Sequence, residues 1–159
     1  MFQVGDKIVH PMHGAGVIDE IVENKVNGIV RSYYVLKLPI GGMMVMIPTE
    51  NCQEIGVRPI IAEEQVNEVI DAISRIEVNM DQNWNRRYRD NMTRLKSGDL
   101  LEVAHVVKGL MLRDIARGLS NGERKMLHSA KQILISELVL SQSGSYEEIE
   151  ERINWAMAQ

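Results

Sequence analysis

The sequence predicts an α+β chain of two domains: a small SH3-like or Tudor-like β-barrel over residues 1–59, then a compact all-α domain of five helices over residues 60–159. Three observations carry this. Up to Pro59 the chain is rich in β-branched residues and punctuated by glycine; after Pro59 no further proline occurs; and the second part holds three spaced helix-start signals.

In the first part, four short runs have strand character: "KIVH", "VIDEIVEN", "SYYVLKL" and "MMVMIP". Turn signals separate them, at "HGAG", "KVNG" and "PIGG". In the second part, Asp99 with Glu102, Ser120 with Glu123 and Ser145 with Glu148 each place an N-cap acceptor three residues before a glutamate. Leu100, Val103, Val107 and Leu110 share one helical face, as do Leu127, Ala130, Leu134 and Leu138, so both stripes belong to a core. Residues 62–76 and 82–96 also read as helices, and Gly98, Gly118 and Gly144 stand where chains leave helices.

Composition narrows the function. Cys52 is the lone cysteine, which excludes an intramolecular disulfide framework and a multi-cysteine zinc site and fits a reducing, cytoplasmic compartment. No signal-like start and no long uncharged apolar stretch is seen, so no membrane partner is expected. His10 and His13 in "HPMHGAGV" lack a third ligand nearby, and strand-like sequence follows the glycines where a phosphate loop needs a helix; a turn between strands is predicted, with no metal and no cofactor. No nucleophile has an activating neighbour, and the glutamates fall at helix starts and on polar faces, so no enzyme is expected.

Two stretches point to binding. In "GGMMVMIP", alternation puts Met44 and Met46 on one face and Met43, Val45 and Ile47 on the other. A small barrel has one inside, so either the helical part covers the second face or a methionine face and a strand edge are free to dock a partner. In "NWNRRYRDN", Trp84 stands among Arg86, Arg87 and Arg89 in a chain of net charge -4. Trp84, Tyr88, Met92 and Leu95 form one helical stripe, which allows a core role for the indole. Its place in the first turn beside arginines instead suits nucleic acid: guanidiniums hold phosphates while a planar ring wedges beside an unstacked base. Unaided affinity should be weak and largely sequence-independent, about 10⁻⁴ to 10⁻⁶ M, unless a partner tethers the chain to DNA.

With these residues in view, the chain resembles the CarD/CdnL family of bacterial transcription factors. "VGDKIVHPMHGAGVI" and "YYVLKL...MMVMIP" are similar to its N-terminal module, also found in transcription-repair coupling factors. "NWNRRYRDNM", "SGDLLEVAHVVKGL" and "GLSNGERKMLHSAKQILISEL" are similar to its helical C-terminal domain. The resemblance implies docking on the β-subunit lobe of RNA polymerase, with Met46, Ile47 and Pro48 on the facing strand. It also implies contact with promoter DNA at the upstream edge of the bubble, Trp84 acting as wedge and Arg86, Arg87 and Arg89 holding the backbone. The expected product is a non-enzymatic, cytoplasmic regulator, associated with the nucleoid through polymerase and monomeric in the functional complex, that stabilises the open promoter complex. Asn24 and Met46 replace residues that are basic in some relatives, which shifts the expected docking toward apolar contact. The competing expectation is a protein interaction adaptor, without direct DNA contact, whose Trp84 is core.

Overall fold

The computed structural model describes residues 1–39, 41–142 and 144–159. The turn expected at "PIGG" includes Ile40, which lies outside the described residues. The strand runs become β1 (Lys7–His10), β2 (Gly14–Val26), β3 (Ile29–Lys37) and β4 (Met44–Pro48), with a further short strand, β5 (Arg58–Pro59). All pairings are antiparallel, in the order β4-β3-β2-β1-β5. The β2–β3 connection is the two-residue loop Asn27–Gly28, with φ of 52° and 78°. Positive φ at both positions matches the right-handed twist of a hairpin, and Asn-Gly tolerates it. Period-two alternation buries Ile18, Tyr34, Leu36 and Ile47, which join Ile8, Cys52 and Val57 in one cluster.

Two elements escape the sequence pattern. One is β5, only two residues long and defined by its ladder to β1 (Ile8↔Pro59, Val9↔Arg58). The other is the single-turn helix α1 (Cys52–Ile55), which precedes β5. The described residues therefore hold six helices, five of them after Pro59: α2 (Gln65–Ser74), α3 (Trp84–Lys96), α4 (Leu100–Arg117), α5 (Asn121–Gln142) and α6 (Tyr146–Met157). No helix of the described residues is long and apolar enough to cross a membrane.

Cap chemistry explains where the helices start. The Asp99 carboxylate accepts from the N–H of Leu101 at 2.8 Å, Ser120 Oγ from that of Glu123 at 3.2 Å, and Ser145 Oγ from that of Glu148 at 3.2 Å. The reciprocal half of the box is used otherwise: Glu102 pairs with Arg94 at 2.6 Å and Glu123 with Arg87. Lys108 is buried, and its Nζ donates to the carbonyls of Ile73 and Ser74, closing the end of α2. Val103, Val107, Leu110, Leu134 and Leu138 centre the helical core.

Helix α5 joins the helices to the sheet. Glu137, fully buried, receives both terminal nitrogens of Arg58 at 2.8 Å each and the N–H of Ile61 at 3.0 Å. Arg58 Nε donates in turn to the Gly98 carbonyl. From the preceding residue of α5, Ser136 Oγ accepts from the N–H of Ala15 at 3.0 Å. A Cβ on Gly14 would stand 2.7 Å from that oxygen and 3.2 Å from Ile133 Cα, and Gly14 has φ of +92°, so glycine fits there on two counts.

A candidate nucleic-acid interface on the third helix

Helix α3 opens on an organised turn. The N–H of Asn83 donates to Asp81 Oδ1 at 2.8 Å, and Asn83 Oδ1 accepts from the N–H of Arg86 at 3.1 Å, so Asn83 is the N-cap and Trp84 the first helical residue. Along the stripe, exposure falls from Trp84 at 42% through half-buried Tyr88 and Met92 to Leu95 at 3%. The stripe thus starts outside the core and ends in it. The spacing alone allowed both readings of Trp84; its position at the outer end leaves the ring accessible.

The indole is nevertheless held. Its plane stacks on Tyr88 with centroids 5.1 Å apart and 18° between planes. Its Nε1 donates to Ser120 Oγ at 3.0 Å. The first turn of α5 abuts both rings, since a Cβ on Gly122 would lie 3.7 Å from Trp84 and 3.8 Å from Tyr88. Beside the ring, Arg89, Met92 and Lys96 border an open groove of about 480 Å³.

Of the three arginines expected to hold DNA, Arg86 and Arg89 are exposed, and neither is ion-paired among the described residues. Arg87 requires a correction: it is 2% exposed and faces inward. Its Nε and Nη2 bind the Glu123 carboxylate at 2.8 and 3.1 Å, and Nη1 donates to the carbonyls of Asp81 and Gln82. Four of its five N–H donors are thus engaged within the fold, and its burial withholds the guanidinium from a phosphate. Arg87 holds the loop before α3 against α5. Hydrogen bonding from Arg87 keeps the Glu123 carboxyl below the usual carboxylate range, outweighing the upward push of burial.

The second expected surface is β4, an outermost strand of the sheet. Met44 and Met46 are 49% and 50% exposed, so the helices do not cover this face. The register places Met44, Met46 and Pro48 opposite Lys37, Val35 and Tyr33, on one face of the sheet. Ile47 is corrected here: its side chain is buried in the sheet's core and cannot meet a partner, although its backbone remains on the outer strand. Asn24 pairs across β2 and β3 with exposed Arg31, which puts a cation directly opposite it on the neighbouring strand. At the histidine turn His10 Nδ1 accepts from the N–H of Met12, and among the described residues no group of three or more potential ligands is gathered.

The matches to known proteins follow the same two parts. Residues 2–61 match the CarD-like/TRCF RID domain, and residues 68–154 match the CarD C-terminal domain. The chain belongs to the CarD family. It is 38% identical over 138 residues to "Putative transcription factor YdeB" of Bacillus subtilis (strain 168), a stretch covering 87% of this chain and 90% of that protein.

In this CarD-family chain the sequence pattern missed the residues that hold the indole. Ser120 and Glu123 are recognisable only as a cap pair, because their partners Trp84 and Arg87 lie 36 residues earlier. Tyr88 had a local signal, its i,i+4 spacing from Trp84.

Proposed function

We propose that this CarD-family protein is a non-enzymatic transcription regulator that docks on the β-subunit lobe of RNA polymerase and stabilises the open promoter complex from the upstream edge of the bubble. The observation that carries the reading is an accessible indole, fixed by Ser120 and Tyr88, beside the exposed guanidiniums of Arg86 and Arg89. A pre-positioned ring enters distorted DNA without first losing side-chain freedom, and the arginines supply sequence-independent anchoring.

Docking is assigned to the outer edge of β4 and the face of Met44, Met46 and Pro48, with Arg31 supplying charge near Asn24. Methionines adapt to an apolar partner surface, and an unpaired strand edge offers backbone hydrogen bonds. Tethering there makes the DNA contact effectively intramolecular, which overcomes the repulsion expected of a chain with net charge -4. Only differential affinity for opened over closed DNA shifts the balance, so the wedge acts after docking.

The test is Trp84→Ala, followed by β-lobe binding and open-complex lifetime. Binding should persist while lifetime falls by roughly five- to a hundredfold, the worth of one stacking contact of about 1–3 kcal/mol. An unchanged lifetime would leave a polymerase adaptor without DNA contact.

A further inference from the structure

We propose that the groove between α2 and α6 binds a segment of a protein partner that presents an arginine beside an apolar side chain, with Trp155 as its platform. Helix α6 buries Ile149, Ile153, Ala156 and Met157, and this spacing turns Trp155 outward, 66% exposed and freer than Trp84. In a chain with 4% aromatic residues, an uncovered tryptophan is a candidate contact anchor.

The surroundings define the occupant. Trp155 borders an open groove of about 580 Å³ whose wall also includes nearly buried Ile70. Ligand clefts span about 300–1,000 Å³, so the space suits several side chains rather than a lone ion. Glu68 and Asp71 from α2 and Glu151 from α6 line it. Among the described residues Glu68 and Glu151 have no ion pair, and Asp71 reaches Arg75 only at 4.0 Å. Arg152, the lining cation, is already held by Asn67 at 2.6 Å and Gln142 at 3.2 Å.

Such a wall repels phosphate and attracts cations. A guanidinium stacks on an indole face, sheds water more readily than an ammonium, and meets a carboxylate through two parallel hydrogen bonds. Its apolar neighbour would settle toward Ile70. The acidic wall beside Trp155 contrasts with the exposed Arg86 and Arg89 beside Trp84, so the two tryptophans, carried on α6 and α3, suit partners of opposite charge.

The experiment uses the full chain carrying Trp84→Phe, which leaves Trp155 as the sole indole. A capped hexapeptide alternating leucine and arginine is titrated while emission is followed, with calorimetry in parallel. The expected result is a saturable change, weakened about tenfold by the combined substitutions Glu68→Gln, Asp71→Asn and Glu151→Gln and by replacing arginine with lysine in the peptide. Trp155→Ala should abolish the calorimetric signal while the circular dichroism stays unchanged, because the ring is exposed. No saturable change, or equal affinity in the neutralised variant, overturns the proposal. Self-association that requires Trp155 in the absence of peptide also overturns it, since the occupant would then be a second copy of the chain.

Discussion

Trp84 Nε1 donates to Ser120 Oγ at 3.0 Å, and the same oxygen accepts from the N–H of Glu123 at 3.2 Å. One hydroxyl therefore starts α5 and fixes the indole. Ser120→Ala should cost about 1 kcal/mol through the cap, a fall of roughly 2–4 °C in Tm. In a Trp155→Phe background, which leaves Trp84 as the sole indole, emission anisotropy and open-complex lifetime should both drop, with β-lobe binding unchanged. Ser120→Thr, which keeps both acceptor roles, should restore all of them; a Thr variant as poor as Ala would separate the hydroxyl from the ring's position.

Neighbouring arginines should behave in opposite ways. Arg87→Ala leaves Glu123 buried and unpaired, a loss of about 3–5 kcal/mol in melting experiments. Arg89→Ala should change stability by less than about 0.5 kcal/mol, yet weaken promoter contact uniformly and lower the salt slope by roughly one. A promoter-selective loss for Arg89→Ala would mean base reading instead of anchoring.

Acid should reach the same pair. The Glu123 carboxyl has a folded pKa below its ordinary 4.5, so its contribution is complete above about pH 4.5 and disappears as pH falls through the folded value. Glu123→Gln should lower Tm at pH 7 and run progressively closer to the unsubstituted protein as pH descends below 4.5. A gap that stays constant down to pH 2 would show that charge plays no part in the pair.

For docking, Met46→Asp is the discriminating change. Half-exposed Met46 contributes little to the fold, so stability read from thermal melting should change by less than about 0.5 kcal/mol. A carboxylate forced into an apolar contact should weaken β-lobe binding by a few kcal/mol. Unaltered affinity would relocate the docking surface away from β4.

What the sequence revealed and what it hid divide by range. Asp99, Ser120 and Ser145 announce helix starts because a cap acts over three residues, and the stripes of α4 and α5 announce themselves by period. Arg86, Arg87 and Arg89 look alike in sequence. Only the fold, by bringing Glu123 to Arg87, turns that one inward. Likewise β5 exists through its partner β1, and α1 is too short to show a period. Ile47 was placed correctly on β4 by alternation, but which face of an all-apolar strand is covered depends on the rest of the sheet.

Helix α5 works as a ruler. Its cap residue Ser120 carries the acceptor for Trp84, and seventeen positions later Glu137 grips Arg58 and the sheet. At 1.5 Å per residue, a rod of about 25 Å therefore separates the indole's acceptor from the grip on β5, and through the sheet it sets where β4, at the opposite edge, stands relative to the ring; each added residue would also swing one end about 100° around the axis. Length and phase are thus locked together: an insertion in α5 would misdirect the ring relative to β4 even where every contacting side chain were intact.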